Sequence, residues 1–491
     1  MNVREASILM GADASFVSAE LFDKQITDFS IDSRSVKTGE LFFALSQHDY
    51  ARAGFNGTFA DAHEFIADAF VRGAIAAVAR TERVNHDEKL AQYRDRLLLV
   101  DDAIAALQTL ARRVYEAWGR PVVGITGSAG KTTAKELTAQ VLSGAGRRVL
   151  KSERNYNNGL GLPLSVLKLV STGQSPDQFD IAVLEMGMSS PTHEIRRLVE
   201  ITPPDIGVEL MVAPVHLEYL GSIENIAAAK AELIDGLKPE GVAVLNADDD
   251  LVIKMRARHP GRTLTFGIER KADVTATEID TSHLGLISFQ LQTPLGKAPA
   301  VLHMSGRHNL MNALAAAAVG TCLEITPQQI ASALKDARPP AMRGATLDFA
   351  AGFRVVDDSY NSNPRSLLSM VRTIVDATEQ SKRRIVIAGE MLELGPDAAE
   401  LHREAGRKMA RMGVDVVWGV RGLAAEIVAG AREAGLEQVR FFNDSDEAAA
   451  AIVVEIVAGD LVLIKGSRGV ATDKVVSAIK KAFPEEGEAG G

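Results

Sequence analysis

The stretch Val122-Val123-Gly124-Ile125-Thr126-Gly127-Ser128-Ala129-Gly130-Lys131-Thr132-Thr133-Ala134-Lys135-Glu136-Leu137-Thr138-Ala139-Gln140-Val141-Leu142 decides how the chain is read. An apolar run, then glycines, then a helical pattern is the order strand, turn, helix. A helix that begins on such a turn points its free backbone amides outward, and phosphate oxygens suit them. Glycines at 127 and 130 admit close approach, Lys131 can neutralise β- and γ-phosphates, and the Thr132 hydroxyl can ligate Mg²⁺. The expected phosphate-binding set is Gly127, Ser128, Ala129, Gly130, Lys131, Thr132 and Thr133. Ile125 stands where the general G-x-x-x-x-G-K-S/T pattern has its first glycine, so a plain glycine turn with a solvated lysine is the competing reading.

Working outward, similar Val- and Ile-rich runs at 181–185 and 242–246 alternate with helical patterns, the signature of a parallel sheet with crossover helices. A second series follows at 353–356, 384–388, 414–418, 439–442 and 461–465. Between the two lies Arg338-Pro339-Pro340-Ala341-Met342-Arg343-Gly344, where paired prolines end the preceding helix and mark a hinge or linker. The residues before 119 have weaker patterns and no phosphate loop. The expectation is an α/β chain of three domains, 1–118, 119–337 and 338–491, the central one built on a mainly parallel sheet.

The 491 residues are 46% hydrophobic and 24% charged, an ordinary globular balance. The apolar run 313–319 is far shorter than the ~20 residues a membrane helix needs, so no membrane span is expected. The N-terminus has no leader pattern, and a cytoplasmic protein is expected. A net charge of −10 argues against nonspecific nucleic-acid binding. The single cysteine, Cys322, excludes an internal disulfide framework and reads as a core thiol.

Several single residues fall at strand ends, where ligands gather in open parallel sheets. Glu185 could reach a loop-bound Mg²⁺ or cap the next turn. His216, past the run 206–212, could be structural or a metal ligand. Lys230, as an ordinary lysine, would repel a cation and reads as a solvated helix face. The acids Asp248, Asp249 and Asp250 read as a helix N-terminus. Asn309 and Asn312 lie one turn apart and suit base recognition or capping. Arg343 on the hinge could reach a transferring phosphoryl group, and Asp358 could hold ribose hydroxyls.

Taken together these segments resemble the Mur ligases of bacterial cell-wall synthesis, most closely the member that adds D-alanyl-D-alanine. Ile125 to Thr132 resembles that family's ATP loop, which tolerates a non-glycine residue at 125. Asn155-Tyr156-Asn157-Asn158-Gly159-Leu160-Gly161-Leu162-Pro163, His216-Leu217-Glu218, Ala229-Lys230 and Ser305-Gly306-Arg307-His308-Asn309 resemble central-domain signatures. Asp358-Ser359-Tyr360-Asn361-Ser362-Asn363-Pro364, Gly389-Glu390-Met391-Leu392-Glu393-Leu394-Gly395 and Lys465-Gly466-Ser467-Arg468 resemble C-terminal ones. Ser30-Ile31-Asp32-Ser33-Arg34 with Gly39-Glu40-Leu41-Phe42-Phe43-Ala44-Leu45 resembles the uridine-nucleotide domain.

The resemblance implies an N-terminal UDP-binding domain, a central P-loop ATP-binding domain and a C-terminal Rossmann-like domain. It implies ATP and two Mg²⁺ ions, with Thr132, Glu185, His216 and a carbamylated Lys230 at the metals. Lys131, His216, Lys230 and Arg343 become the catalytic set, Asn309 meets adenine, Asp358 meets ribose, and Arg343 lies near the γ-phosphate. Ser33, Arg34 and His63 are implied at the UDP end, and Tyr360, Asn361 and Asn363 at the peptide pocket. The implied partners are a UDP-linked muramoyl tripeptide and D-alanyl-D-alanine, handled by a monomer.

This sequence departs from the family pattern at Ala62, at the stretch 47–58 and at 188–193. Two relatives compete: a folate polyglutamate ligase, disfavoured by the long stretch before the loop, and the ligase that adds the third amino acid, whose Asp-Asn-Pro-Arg motif is absent. From another class, a nucleotide-switch protein would use the same loop without needing a carboxylate and an amine.

Overall fold

Three β-sheets follow one another along the chain. The computed structural model describes residues 1–55, 57–153, 155–188, 193–214, 217–377 and 381–486, apart from the side chains of Leu217 and Glu218. The first sheet pairs Phe29–Ser30, Leu41–Phe43, Ala76–Arg80 and Leu97–Val100, all parallel and in chain order. Its strands are short, which is why the sequence signal there was weak.

The middle sheet has nine strands in the spatial order Gly296–Leu302, Ile287–Thr293, Val274–Asp280, Arg262–Gly267, Val242–Asn246, Ile206–Glu209, Val122–Thr126, Ile181–Glu185, Val149–Lys151. From Val149–Lys151 to Val274–Asp280 the pairings are parallel. The last two strands are antiparallel to their neighbours. Every residue of Val122–Thr126, Ile181–Glu185 and Ile206–Glu209 is buried, as strands covered by helices on both faces must be. Ile287–Thr293 alternates buried with half-buried positions because one of its faces is uncovered.

Ile125 explains its departure from the loop pattern. It lies inside the strand and is fully buried in the layer that also holds Leu137, Val183 and Val208, so a side chain there adds core. Position 130 is different: Gly130 has φ +85°, and a Cβ there would sit 2.4 Å from the Asn312 side-chain oxygen. Only glycine meets both conditions.

On the other face of the sheet, Val122, Leu184 and Leu233 share one core with Leu107, Leu110 and Val114 of the helix Ala103–Trp118. That core continues into the first sheet, so this helix welds the two domains. Asp102 caps it, accepting hydrogen bonds from Ile104 and Ala105 amides at 2.9 Å, a contribution of about 1 kcal/mol. The Trp118 indole donates to the Pro176 carbonyl at 3.0 Å and the Tyr115 hydroxyl to Pro203 at 3.1 Å, fixing the angle between the units.

The third sheet runs Ala345–Asp348, Arg354–Asp358, Asp460–Lys465, Arg383–Gly389, Val416–Val420, Val439–Phe442. Its first strand is antiparallel and the rest are parallel, with a hydrophobic core on each face. The edge strand Ala345–Asp348 was not foreseen. The proline segment connects the helix Pro327–Asp336 to that strand. Among the described residues no helix is long and apolar enough to cross a membrane.

Candidate active site

Strand Val122–Thr126 delivers the chain to the loop, and the helix Lys131–Gly144 leaves from it with Gly130 as its first cap. The loop from Ser128 to Thr133 lines a cavity of ≈ 650 Å³. The Lys131 Nζ donates to the Gly127 carbonyl at 2.8 Å, held back along the loop. Burial lowers the Lys131 pKa, opposed by Glu185 and Glu209 and reinforced by the nearby Arg343 guanidinium.

Glu185 is 3% exposed and its carboxylate is gripped from two sides. The Thr132 hydroxyl donates to one oxygen at 2.9 Å, and the Asn157 amide donates to the other at 2.8 Å. A hydroxyl and a carboxylate in contact at the mouth of a phosphate loop are hard oxygen donors of the kind Mg²⁺ takes. The residues present therefore fit that ion. His216 lies outside the described residues, and among the described residues no three His, Cys, Asp or Glu side chains gather as a metal cluster.

The opposite wall comes from the third domain. Asp358 and Lys465 end neighbouring parallel strands, and the Lys465 Nζ donates to Asp358 Oδ2 at 2.6 Å and to the Asn361 carbonyl at 2.8 Å. Arg343 stacks on the Tyr360 ring, 4.1 Å from its centroid, a cation–π contact that steadies the guanidinium over the cavity. Asn361 and Asn363 also line it, although the Asn363 side-chain oxygen accepts from the Ser366 amide at 2.9 Å and so caps the helix Pro364–Asp376. Asn309 and Asn312 close the floor, linked by a 3.4 Å amide contact, and Asn309 donates to the Ser305 carbonyl at 2.9 Å.

Lys230 does not lie on a solvated face: it is 2% exposed, on the inner side of the helix Ile223–Asp235. Burial takes its pKa down to about 7, with Lys131 adding to the fall and Glu209 opposing it. Glu209, which sequence reasoning passed over, is fully buried, and burial pushes its carboxyl up to about 8 against the pull of Lys230 and Lys131. The signal was a charged residue inside the apolar run 206–212. Asn157 and Lys465 fall within segments of the family resemblance that carry no role for either residue.

The residues expected at the uridine end, Ser33, Arg34 and His63, lie away from this cavity, in the first domain. His63 is buried, its Nε2 accepting from the Arg80 amide at 2.9 Å and its Nδ1 within 2.6 Å of Asp61. Both ring nitrogens are thus engaged inside the domain. Arg34 is exposed and paired with Asp32 at 2.8 Å, and Ser33 is half-buried beside it. Asp249 caps the helix Asp250–Lys254, while Asp248 accepts from the amides of Ile268, Glu269 and Arg270. Cys322 ends the helix Arg307–Cys322 half-buried, its thiol pushed up to about 11 by burial.

Comparison with known proteins matches this architecture. The Mur ligase middle domain family matches residues 125–320, and the Mur ligase, glutamate ligase domain family matches 342–468. The UDP-N-acetylmuramoyl-tripeptide--D-alanyl-D-alanine ligase of Synechocystis is 35% identical over 94% of this chain and 94% of its own length. A crystal structure of MurF from Acinetobacter baumannii superposes with a TM-score of 0.83 at 26% identity, covering 98% of both chains. The MurF ligase from Thermotoga maritima in complex with ADP gives 0.77 at 28% identity, over 94% of this chain and 98% of that one.

Proposed function

The chain belongs to the Mur ligase family, and from that membership we propose that its cavity carries out the family's ATP-dependent ligation on one pair of substrates. It is an ATP-dependent amide ligase that joins D-alanyl-D-alanine to UDP-N-acetylmuramoyl-tripeptide through an acyl phosphate, in peptidoglycan precursor synthesis. The observation that carries the site assignment is that the phosphate loop and the Asp358–Lys465 pair line one cavity from two domains.

In the first step a carboxylate oxygen of the tripeptide attacks the γ-phosphorus and the bond to the β-phosphate bridge breaks, releasing ADP. The dipeptide amine then attacks the acyl carbon, the carbon–oxygen bond breaks, and phosphate leaves as the amide forms and the nitrogen sheds its extra proton. Carboxylate and triphosphate repel, so the work of the protein is alignment and charge compensation. Lys131 and the loop amides hold the phosphates, and Arg343, fixed on Tyr360, faces the transferring group. Asp358, held by Lys465, takes ribose hydroxyls, and Asn309 reads the base.

Mg²⁺ would be held by Thr132 and Glu185, with His216 and Lys230 assigned to a second ion, and it supplies neutralisation of developing phosphoryl charge. Lys230 is assigned as a carbamate: its neutral Nζ adds to the carbon of CO₂, a nitrogen–carbon bond forms and a proton leaves. Burial of the side chain, which favours the neutral amine, supports that assignment. Ser33, Arg34 and His63 are assigned to the uridine end, and Tyr360, Asn361 and Asn363 to the incoming dipeptide. One chain supplies both walls, so a monomer suffices, working in the cytoplasm where ATP is available.

The test is phosphate release with ATP, UDP-muramoyl-tripeptide and D-alanyl-D-alanine, repeated with each left out. Release should need all three. Release that persists without the dipeptide or without the tripeptide would overturn the reading in favour of a nucleotide hydrolase.

A further inference from the structure

Glu209 is 0% exposed, and among the described residues neither of its carboxyl oxygens has a hydrogen-bond partner. Buried carboxyls are normally hydrogen-bonded, because leaving one unmade forfeits solvation with nothing in return. Such a group at the edge of a reaction site needs an explanation.

Register and helix geometry say what it faces. Glu209 pairs with Thr126, and Gly207 pairs with Gly124, across the parallel strands. Side chains two apart share a face, so Thr126 and Glu209 point the same way as the two glycines. A Cβ on Gly124 or on Gly207 would touch Leu233, which identifies that face as the one covered by the helix Ile223–Asp235. Lys230 is three residues before Leu233 and therefore on the same side of the helix. A crossover helix runs back against its strand, so stepping from Leu233 to Lys230 climbs about 4.5 Å toward the strand's carboxyl end, comparable with the ~6.6 Å from Gly207 to Glu209. Lys230, Glu209 and Thr126, whose hydroxyl has no hydrogen-bond partner among the described residues, thus converge in one buried layer behind the phosphate loop.

We propose that Glu209 is a positioning residue for Lys230: a Glu209 oxygen accepts the hydrogen carried by the lysine Nζ, and this anchor turns the outer end of the modified side chain toward the phosphate loop. The inference rests on the assignment of Lys230 as a carbamate. A carbamate nitrogen keeps one N–H, and its two oxygens must face the metal side; an acceptor behind the nitrogen sets that orientation. Thr126 can donate to the second Glu209 oxygen from the paired position on the next strand. Outer-shell partners of this kind fix the orientation of the groups they hold.

The experiment uses the full-length protein equilibrated with ¹³C-bicarbonate and reads the carbamate resonance by NMR beside kcat and KM. The wild type should show a resonance that Lys230→Ala abolishes. Glu209→Leu should lose most of it and drop kcat by at least about tenfold, with KM for ATP moving less and high bicarbonate restoring part of the rate. Glu209→Gln keeps a carbonyl acceptor and should retain the resonance and a rate within about threefold of wild type. Glu209→Leu should melt no lower than wild type, which separates lost positioning from misfolding.

A Glu209→Leu protein with full resonance and full kcat would overturn the role of Glu209 alone. If Glu209→Gln loses the resonance as completely as Glu209→Leu, the acceptor role is wrong. A wild type with no resonance would overturn the carbamate and this inference with it.

Discussion

Glu185 and Glu209 end the two strands that flank the phosphate-loop strand, and they sit in opposite circumstances. Glu185 pairs with Ile125, faces the loop helix and is held by Thr132 and Asn157. Glu209 pairs with Thr126, faces the Lys230 helix and, among the described residues, has no hydrogen-bond partner. The difference is one of parity, since neighbouring residues of a strand point to opposite faces. A carboxylate at a strand end is therefore half a description: the residue it pairs with decides which of the two covering helices it faces.

The largest expected way to break that comparison is Glu185→Ala. It removes the carboxylate that Thr132 contacts, and phosphate release should fall by at least about a thousandfold with both substrates present. If Glu209→Leu costs as much, the two acids do not divide the work as described. Asn157→Ala comes next: freeing one Glu185 oxygen should raise half-saturating Mg²⁺ by about tenfold or more in a metal titration of the rate, with little change at saturation. Lys465→Met strands Asp358 at the far wall and should raise KM for ATP by about tenfold.

Smaller effects concern stability. Glu185→Leu loses two hydrogen bonds and strands the Thr132 hydroxyl and the Asn157 amide, so it should lower stability by about 1–3 kcal/mol, seen as a melting point a few degrees lower, whereas Glu209→Leu should leave the melting point at or slightly above that of the wild type. The smallest is a control remote from both acids. His402 is buried in the third domain, where its Nε2 accepts from the Met391 amide at 2.9 Å, and burial lowers its pKa. Below the unfolded histidine's pKa of about 6.5 the unfolded chain binds a proton that the native one refuses, so stability should fall as pH drops through that value. Denaturant midpoints at pH 7.5 and 5.5 should differ in that sense, and His402→Gln should reduce the difference.

The strand–glycine turn–helix unit, the two series of parallel strands and the helix break at the paired prolines were legible because each is written in a short window: glycines between a strand and a helix, apolar runs, paired prolines. Glu185 was legible as a strand-ending acid. Read as an ordinary lysine, Lys230 is expected on a solvated face, yet its spacing with Ile226, Leu233 and Leu237 puts it on the apolar side of its helix, and the period of its neighbours outweighs its charge. Glu209 stayed hidden because its meaning depends on register with Thr126 and on the helix Ile223–Asp235, which begins 14 residues later. The strands Ile287–Thr293 and Gly296–Leu302 were missed for a plainer reason: half-exposed strands carry too few apolar residues to stand out.

The central claim is that the tripeptide carboxylate is phosphorylated before the amide forms, and isotope transfer tests it directly. With both oxygens of that carboxylate labelled with ¹⁸O, the attacking oxygen stays with phosphorus when the amine displaces phosphate. Each phosphate released should then carry one ¹⁸O, read by the ³¹P isotope shift or by mass spectrometry, in proportion to amide formed. Phosphate released without label, while amide accumulates, would contradict the account.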